Sequence, residues 1–431
     1  MTPGARVAAT MDLLGEITGR PERPADGVAN AFFRARRFIG GGDRRAVSDR
    51  AWGILRHYGQ LAWWLDKTRH PDRSARAIVS ADLMLQDGLT LEQIEAMFDG
   101  GSYRPAPLDD GERRALRQME GHSLPHPEQP DWVRLNVQEW VAPHLQEAYG
   151  EAWGREIAAL ETPPPVDLRV NRLKATVEEA RAALHREGVE TEPMRYARDG
   201  LRLKRRLSIV TGQAFQDGLV EIQDEGSQLV AELVDAQPGM QVMDYCAGAG
   251  GKTLAIAAGM NNKGRVVAMD VYGSRLERSA QRLRRAGAHN VERRALGPDS
   301  AKWIKRQKES FDRVLVDAPC TGTGTWRRNP DGRWTLAPKD LEELVPKQAA
   351  ILDAASRLVK PGGGLVYATC SVLPAEDERQ VEAFLERHPD FTLVPPADLG
   401  LPPETAAGPY LRLSPLKHGT DGFFAAAMVR K

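Results

Sequence analysis

The chain is poor in cysteine. Its 431 residues include only three, Cys246, Cys320 and Cys370, which lie 74 and 50 residues apart. Such wide spacings argue against a disulfide framework and contain no CxxC metal pair. They predict a reducing, cytoplasmic setting and no metal site.

Long apolar runs and a targeting segment are also lacking. No stretch approaches the length needed to span a bilayer, although hydrophobic residues make up 42% of the chain. The N-terminus does not have the basic and then apolar layout of a signal peptide. We therefore expect a protein without a membrane partner. It is expected to be a monomer, because its domains are large enough to bury their own cores.

Net charge does not indicate a nucleic-acid partner, because 59 Lys and Arg residues balance 59 Asp and Glu residues. Residues 270–333 nevertheless hold 15 basic residues against 8 acidic ones. Solvated helix faces and a surface for a polyanion would both produce such a surplus. Charge alone leaves the two explanations open.

Changes in pattern along the chain predict three domains. Residues 1–120 are typical of an all-helical bundle, and residues 121–222 of a linker followed by a small α+β unit. Residues 223–431 alternate strand, Gly-rich loop and helix. This alternation predicts an α/β domain with a doubly wound, mostly parallel sheet, which binds its ligand at the carboxyl ends of the strands.

Two helix starts in the N-terminal bundle have recognisable capping residues. Ser48 precedes a run of apolar residues at helical spacing and is the predicted N-cap of that helix. Thr90 and Gln93 have the spacing of a capping box at the start of a second helix.

The stretch DYCAGAGGKT follows a predicted strand and opens a predicted helix. Its small residues let a ligand approach the backbone, and the helix N-terminus offers free N–H groups. A P-loop is excluded because Cys246 stands at its first glycine, and an NAD fingerprint is excluded because Thr253 stands at its third. S-adenosylmethionine is the remaining cofactor class, and Asp270, at the end of the next predicted strand, is placed to hold its ribose hydroxyls.

Cys320 in DAPC and Cys370 in ATCSV each follow a further predicted strand. Both would face one cleft if these strands are parallel. A buried cysteine at a strand end is ordinarily an inert small hydrophobe. A thiolate favoured by nearby N–H dipoles or cations is instead a nucleophile.

Methyl transfer to carbon 5 of a pyrimidine is a reaction that needs a thiol. Carbon 5 becomes nucleophilic once a thiolate adds to carbon 6 and converts the ring to an enamine. Loss of the carbon 5 proton and of the thiol then restores the ring. Asp317 would hydrogen-bond near ring nitrogen 3 and the exocyclic amine. One nucleophilic cysteine suffices, and these residues alone do not choose between Cys320 and Cys370.

Four ordered motifs resemble the RsmB/NSUN family of RNA cytosine-5 methyltransferases: DYCAGAGGKT, DAPCTGTG with RRNPD, ATCSVLPAEDE and GTDGFFAAAMVRK. SDRAWGILRHYG is similar to part of the NusB-like helical domain of bacterial RsmB. The resemblance implies a Rossmann-like class I methyltransferase domain, an RRM-like unit before it, and S-adenosylmethionine as cofactor. It implies an RNA partner, with small-subunit rRNA first and tRNA as the nearest rival. A catalytically weak ribosome-assembly factor is a further alternative.

The resemblance also implies a role for each matched residue. Cys370 would attack carbon 6 and Cys320 would help to release the product. Asp317 would act as base and also line the cofactor pocket, and Lys252 would lie near the methyl donor. The implied cofactor-binding residues are Cys246, Ala247, Gly248, Ala249, Gly250, Gly251, Lys252, Asp270, Arg275 and Asp317.

Two regions depart from the family pattern. Gly248 and Ala249 stand where the family loop has Ala and Pro, which adds unfolded-state entropy but keeps the small side chains. Leu296, followed by Gly297, stands where the family has an acid close to the adenine. Asp299 is the alternative acid but is not predicted as a ligand. These departures predict an altered affinity for the cofactor.

Overall fold

The computed structural model of the protein describes residues 1–69, 72–297 and 300–431. Contacts between them divide the chain into two compact units. The helical unit comprises the described residues of 1–146, 150–161 and 328–337. The sheet unit comprises those of 147–149, 162–327 and 338–431. The three domains with limits at 120 and 222 stay a prediction.

Helices make up the N-terminal part and alternate with strands further on. In chain order they are α1 (Pro3–Thr18), α2 (Ala25–Ala35), α3 (Gly41–Lys67), α4 (Ala75–Leu85), α5 (Leu91–Met97), α6 (Asp110–Met119), α7 (Asp131–Arg134), α8 (Ala142–Tyr149), α9 (Trp153–Glu161), α10 (Val177–Arg186), α11 (Gln213–Gln216), α12 (Glu225–Leu233), α13 (Gly251–Gly259), α14 (Gly273–Ala286), α15 (Ser300–Arg306), α16 (Gly332–Thr335), α17 (Pro338–Ser356), α18 (Glu378–Arg387) and α19 (Pro415–His418). Short 3₁₀ turns occupy Glu139–Val141, Gly150–Ala152, Thr323–Thr325, Pro396–Leu399 and Pro403–Thr405. Within the described residues, no helix combines the length and apolar character needed to cross a membrane.

Strands begin only after the N-terminal helices. They are β1 (Asp167–Val170), β2 (Thr191–Pro193), β3 (Gly200–Leu203), β4 (Val220–Ile222), β5 (Gln241–Asp244), β6 (Arg265–Asp270), β7 (Val291–Ala295), β8 (Phe311–Asp317), β9 (Val359–Thr369), β10 (Phe391–Val394), β11 (Ala406–Ala407), β12 (Tyr410–Leu413) and β13 (Phe423–Arg430).

The capping predictions for the helical unit have different outcomes. The capping box of Thr90 and Gln93 is confirmed, because each side chain bonds the other residue's backbone N–H. The predicted N-cap Ser48 is wrong, since α3 begins at Gly41 and Ser48 lies inside it. The apolar face of α3 extends back to the fully buried Val47. Tertiary packing of that turn outweighs the capping preference of a serine.

The segment 328–337 belongs to the helical unit although it follows the DAPC motif in sequence. Arg333 has a fully buried side chain that forms an ion pair with Glu161 at 3.3 Å. The indole Nε1 of Trp334 donates to the carbonyl oxygen of Leu55 at 2.6 Å. These bonds make the segment part of the helical core rather than a loose loop.

A small antiparallel sheet in the order β2-β3-β1-β4 opens the sheet unit. The apolar side chains of β1, Leu168 and Val170, pack with Leu201 and with helix α10. Its alternate residue Asp167 accepts two hydrogen bonds from Arg202. The period of two along β1 thus separates an apolar face from a charged one.

The large sheet has the order β11-β12-β13-β9-β8-β5-β6-β7, with β10 paired to β13. Strands β9, β8, β5, β6 and β7 are parallel, whereas β13 runs antiparallel to β9. This confirms the predicted fold class, a doubly wound and mostly parallel α/β sheet preceded by a small α+β unit and helices. Strand order reverses between β5 and β8, so the ligand crevice of this fold lies at the carboxyl ends of these two strands.

Candidate active site

The Gly-rich turn connects the end of β5 at Asp244 to the start of α13 at Gly251. Gly250 is the N-cap of α13 in the left-handed conformation, with φ of +79°. A Cβ on Gly250 would lie 2.9 Å from the Cβ of Ser279, so only glycine fits. Gly248 also has a positive φ, +54°, but has open space around it. The turn therefore presents backbone and the helix N-terminus rather than side chains.

Asp270 holds this turn in place from the end of β6. Its Oδ2 accepts a hydrogen bond from the N–H of Gly248 at 2.8 Å, and its Oδ1 from the N–H of Tyr272 at 2.7 Å. Each oxygen keeps a second lone pair, which suits a ligand hydroxyl. The two residues that follow, Val271 and Tyr272, are 59% and 55% exposed. A carboxylate beside an exposed apolar surface fits the ribose and base of a nucleoside.

The other predicted cofactor residues have varied surroundings. Ala247 is buried in a small apolar cluster, and the carbonyl oxygen of Ala249 accepts a hydrogen bond from Arg282 at 2.9 Å. The half-buried Cys246 packs against the apolar core, and burial raises the pKa of its thiol. Arg275 is exposed on α14, with its guanidinium 4.8 Å from the ring centroid of Tyr272. Its role toward the cofactor stays a prediction.

Asp244 is a buried carboxylate that the sequence reasoning missed. Its Oδ2 accepts a hydrogen bond from the hydroxyl of Thr253 at 2.6 Å, whereas its Oδ1 has no hydrogen-bond partner among the residues that the structure describes. Burial raises the pKa of Asp244 to about 7. An unpartnered buried acceptor at the base of the Gly-rich turn fits a ligand with an ammonium or hydroxyl donor. The residues present thus fit S-adenosylmethionine, which carries both.

The position of the missing family acid is apolar. The N–H of Leu296 donates to the carbonyl oxygen of Asp270 at 2.8 Å, and its partly buried side chain packs against the apolar core. Asp299, the alternative acid, lies outside the described residues. The edge next to Asp270 therefore presents an aliphatic side chain at residue 296.

Lys252 and Asp317 form a half-buried ion pair at the carboxyl edge of the sheet. Lys252 is the second residue of α13, and its Nζ lies 2.7 Å from Oδ2 of Asp317. Burial by itself would lower the pKa of Lys252, but Asp317 and, less strongly, Cys370 raise it above its ordinary value. Lys252 is therefore positively charged, and its ion pair with Asp317 holds the ammonium group in place. Its Nζ also lies 5.4 Å from the ring centroid of Phe423.

The two motif cysteines meet although they are 50 residues apart in sequence. Cys320 follows β8 and Cys370 follows β9, and their sulfur atoms are 3.4 Å apart. Both residues are half-buried. The hydrogen bond to Cys370, burial and the negative charge of Glu376 raise the pKa of Cys320 well above its ordinary value. Cys320 is therefore held as a neutral thiol.

Backbone contacts lock the loops that carry these thiols. The N–H of Gly324 donates to the carbonyl oxygen of Cys370 at 2.9 Å. The N–H of Gly422 donates to the carbonyl oxygen of Gly324 at 2.8 Å. A Cβ on Gly324 would lie 2.3 Å from the carbonyl oxygen of Gly422. The glycines in TGTGT and GTDGFF were the available signal, but nothing in the sequence pairs them.

Arg327 anchors the C-terminal loop from inside the sheet unit. It is 3% exposed and forms ion pairs with Asp421 and, at 3.3 Å, with Asp224. Other arginines of the basic stretch are likewise paired, since Arg282 and Arg285 both bond Glu221. Part of the basic surplus therefore serves the fold.

Family models match two parts of the chain. Residues 231–429 match the model described as 16S rRNA methyltransferase RsmB/F. Residues 137–210 match the ferredoxin-like domain of RsmF/B-like methyltransferases.

Curated relatives are similar over a long central region. The ribosomal RNA small subunit methyltransferase B of Serratia proteamaculans (strain 568) is 37% identical over 291 residues, which cover 68% of this chain and 66% of that protein. The protein of the same name from Yersinia pestis is 37% identical over 292 residues, with the same coverage. The chain thus spans just under two thirds of the length of these relatives.

Solved structures are similar in fold. The structure of PH0851 superposes with a TM-score of 0.82 at 26% identity and covers 100% of this chain and 99% of that one. A methyltransferase homolog protein from Pyrococcus horikoshii has a TM-score of 0.61 at 31% identity and covers 70% of this chain and 98% of that one. Together with the family models, these matches confirm the predicted cofactor, S-adenosylmethionine. Residues 231–429 belong to the RsmB/F methyltransferase family, and residues 137–210 match the ferredoxin-like domain of such methyltransferases.

Proposed function

We propose that the protein is an S-adenosylmethionine-dependent RNA cytosine-5 methyltransferase that acts on small-subunit rRNA. The observation that carries the proposal is the pair of thiols 3.4 Å apart beside the Lys252–Asp317 ion pair. Oxygen and nitrogen acceptors have a lone pair and need no thiol, whereas carbon 5 of a pyrimidine does. The names of the curated relatives support rRNA as the substrate class.

The cofactor, when bound, supplies the methyl group. The proposed ligands are the carboxylate of Asp270 for the ribose hydroxyls and the N–H groups of the Gly-rich turn at the start of α13. The free Oδ1 of Asp244 would accept a hydrogen bond from a donor of the cofactor. The exposed surfaces of Val271 and Tyr272 would cover the adenine.

The surroundings of the thiols support Cys370 as the nucleophile and Cys320 as its partner. Cys370 contributes to raising the pKa of Lys252, so a charged ammonium stands near the sulfur that is proposed to attack carbon 6. Cys320 is held as a neutral thiol, which suits donation of its proton to the sulfur of Cys370 as that sulfur leaves carbon 6.

In the proposed sequence, the Cys370 thiolate forms a bond to carbon 6 and the ring electrons move to carbon 5, which takes the methyl group. The proton on carbon 5 is then lost to a base, for which Asp317 is the predicted residue. The carbon–sulfur bond breaks and the double bond returns. Lys252 and Asp317 would also hydrogen-bond the polar edge of the cytosine and stabilise the charge that develops there.

The target cytosine has to leave its stack to reach the thiols. The small sheet and the exposed Arg278 and Arg284 of α14 are the proposed contacts with the RNA backbone. Backbone contacts of this kind position the RNA but do not read its sequence.

The test is methyl transfer from labelled S-adenosylmethionine to unmodified 16S rRNA and tRNA transcripts, followed by nucleoside analysis. The parent protein is expected to form 5-methylcytidine in the 16S rRNA. Cys370→Ala is expected to be inactive, and Cys320→Ala is expected to accumulate a covalent RNA adduct. Methylation by Cys370→Ala would exclude the assigned nucleophile. Labelling of tRNA alone would refute the substrate, and RNA binding without labelling would favour an assembly factor.

A further inference from the structure

Glu376 is a fully buried carboxylate in the loop that follows Cys370. It lies six residues after that thiol, in the stretch ATCSVLPAEDE. A buried charge is stable only when hydrogen bonds or an opposite charge compensate it. Among the ion pairs between described residues, none involves Glu376. Hydrogen bonds must therefore hold its charge.

Donors from the loop that carries Cys320 and from the loop that carries Cys370, together called the thiol loops, converge on the Glu376 carboxylate. Its Oε1 accepts from the N–H of Thr321 and from Nε2 of Gln348, each at 2.9 Å. Its Oε2 accepts from the hydroxyls of Thr321 and Ser371, each at 2.5 Å. Thr321 directly follows Cys320, and Ser371 directly follows Cys370. One carboxylate thus joins the residues next to the two sulfur atoms.

Further bonds fix Glu376 and the start of the first loop. The hydroxyl of Tyr367, on β9, donates to the carbonyl oxygen of Glu376 at 2.7 Å. Gln348, on α17, donates through its same Nε2 to the carbonyl oxygen of Pro319 at 2.9 Å. The hydrogen bonds around Glu376 are therefore anchored to the sheet through Tyr367 and to α17 through Gln348. Glu376 cannot move without moving both thiol loops.

We propose that Glu376 is a positioning residue that holds the Cys320 and Cys370 sulfur atoms at contact distance. The inference rests on the proposed function only for its effect on the reaction. A carboxylate is required because two oxygens accept four donors. A glutamine has one acceptor oxygen. Its NH₂ group would either face the N–H of Thr321 and Nε2 of Gln348, which only donate, or force the hydroxyls of Thr321 and Ser371 to turn from donors into acceptors.

The test measures how readily the two thiols join, which depends on their separation and needs no RNA. In glutathione redox buffers, two protein thiols and one oxidised glutathione give one protein disulfide and two reduced glutathiones. Peptide mapping identifies the Cys320–Cys370 disulfide, and the equilibrium constant gives the effective concentration of one thiol at the other. The variants are Glu376→Gln and Thr321→Val, with Glu382→Gln on the exposed face of α18 as the matched control.

We expect Glu376→Gln to lower the effective concentration at least tenfold and Thr321→Val to lower it several-fold, with no change in Glu382→Gln. Methyl transfer should follow the same order in kcat, with KM for RNA unchanged. An effective concentration within twofold of the parent in Glu376→Gln overturns the proposal. If Glu376→Gln does not fold, an unchanged value in Thr321→Val overturns it. A parent that methylates no RNA refutes the proposed function, while the thiol equilibrium still decides the role of Glu376.

Discussion

Replacing Gly324 with alanine would test the backbone contact between the loop after Cys320 and the C-terminal loop. The new Cβ would lie 2.3 Å from the carbonyl oxygen of Gly422 and 2.8 Å from its Cα. Favourable contacts between heavy atoms begin at roughly 3.5 Å. The two backbones therefore have to separate by about 1 Å. Neither contact belongs to a flexible side chain that could turn away.

The cost follows from the hydrogen bonds that this separation breaks. The Gly324 N–H bond to Cys370 is 2.9 Å long, and the Gly422 N–H bond to Gly324 is 2.8 Å long. A buried backbone group left without a partner costs about 1–3 kcal/mol. Replacing a glycine by alanine also lowers the entropy of the unfolded chain, which offsets roughly 0.4–1 kcal/mol of this loss. Gly324→Ala is thus expected to lower the free energy of unfolding by about 3 kcal/mol.

Urea denaturation followed by circular dichroism measures this loss, and hydrogen exchange of peptides around residues 320–326 and 370–373 localises it. Gly259→Ala is the matched control, because its Cβ would meet only the carbonyl oxygen of Ala236 at 3.8 Å. That variant is expected to be neutral or slightly more stable. If Gly324→Ala also keeps the parent's stability and exchange rates, the loops do not pack as the structure has them.

Three further predictions concern buried charges. Because burial raises the pKa of Asp244 from 3.8 to about 7, the folded state holds its proton at a pH where the unfolded state releases it. The free energy of unfolding therefore falls by about 4 kcal/mol as pH rises between these values. Asp244→Asn should abolish this fall when urea denaturation is measured across the same pH range. Lys252→Met removes the cation that faces Cys370, so alkylation of Cys370 at neutral pH should slow several-fold and methyl transfer should fall about 100-fold. Peptide mass spectrometry after alkylation and label transfer to RNA measure the two effects. Arg327→Met removes the buried cation that pairs with Asp421 and Asp224 and should cost about 3–5 kcal/mol of stability in urea denaturation, whereas an unchanged midpoint would contradict these ion pairs.

Sequence pattern alone located much of the candidate site, whose roles stay a prediction. The strands that end at Asp270 and Asp317 and the strand that precedes Cys370 could be read from apolar runs bounded by Gly-rich turns. Parallel strands place their carboxyl ends at one edge, so convergence of these residues followed from the alternation of strand and helix. The cofactor class followed from the small residues between Cys246 and Thr253.

Other local signals were outweighed by packing. Ser48 has a strong capping preference, yet the buried Val47 extends α3 by several residues. The segment with Arg333 and Trp334 reads as part of the motif that follows DAPC, but its buried bonds place it in the helical unit. A preference of about 1 kcal/mol does not compete with the burial of several apolar side chains.

By itself, the sequence determined the fold class, the Gly-rich turn and the presence of two thiols at strand ends, because these depend on short-range periodicity and on residue type. Only the tertiary structure decided that the sulfur atoms lie 3.4 Å apart and that Glu376 joins their loops. It also decided that Oδ1 of Asp244 has no partner within the described part of the chain and that Arg282 and Arg285 both bond Glu221. These features are contacts between distant residues, and no local pattern specifies a partner 50 residues away.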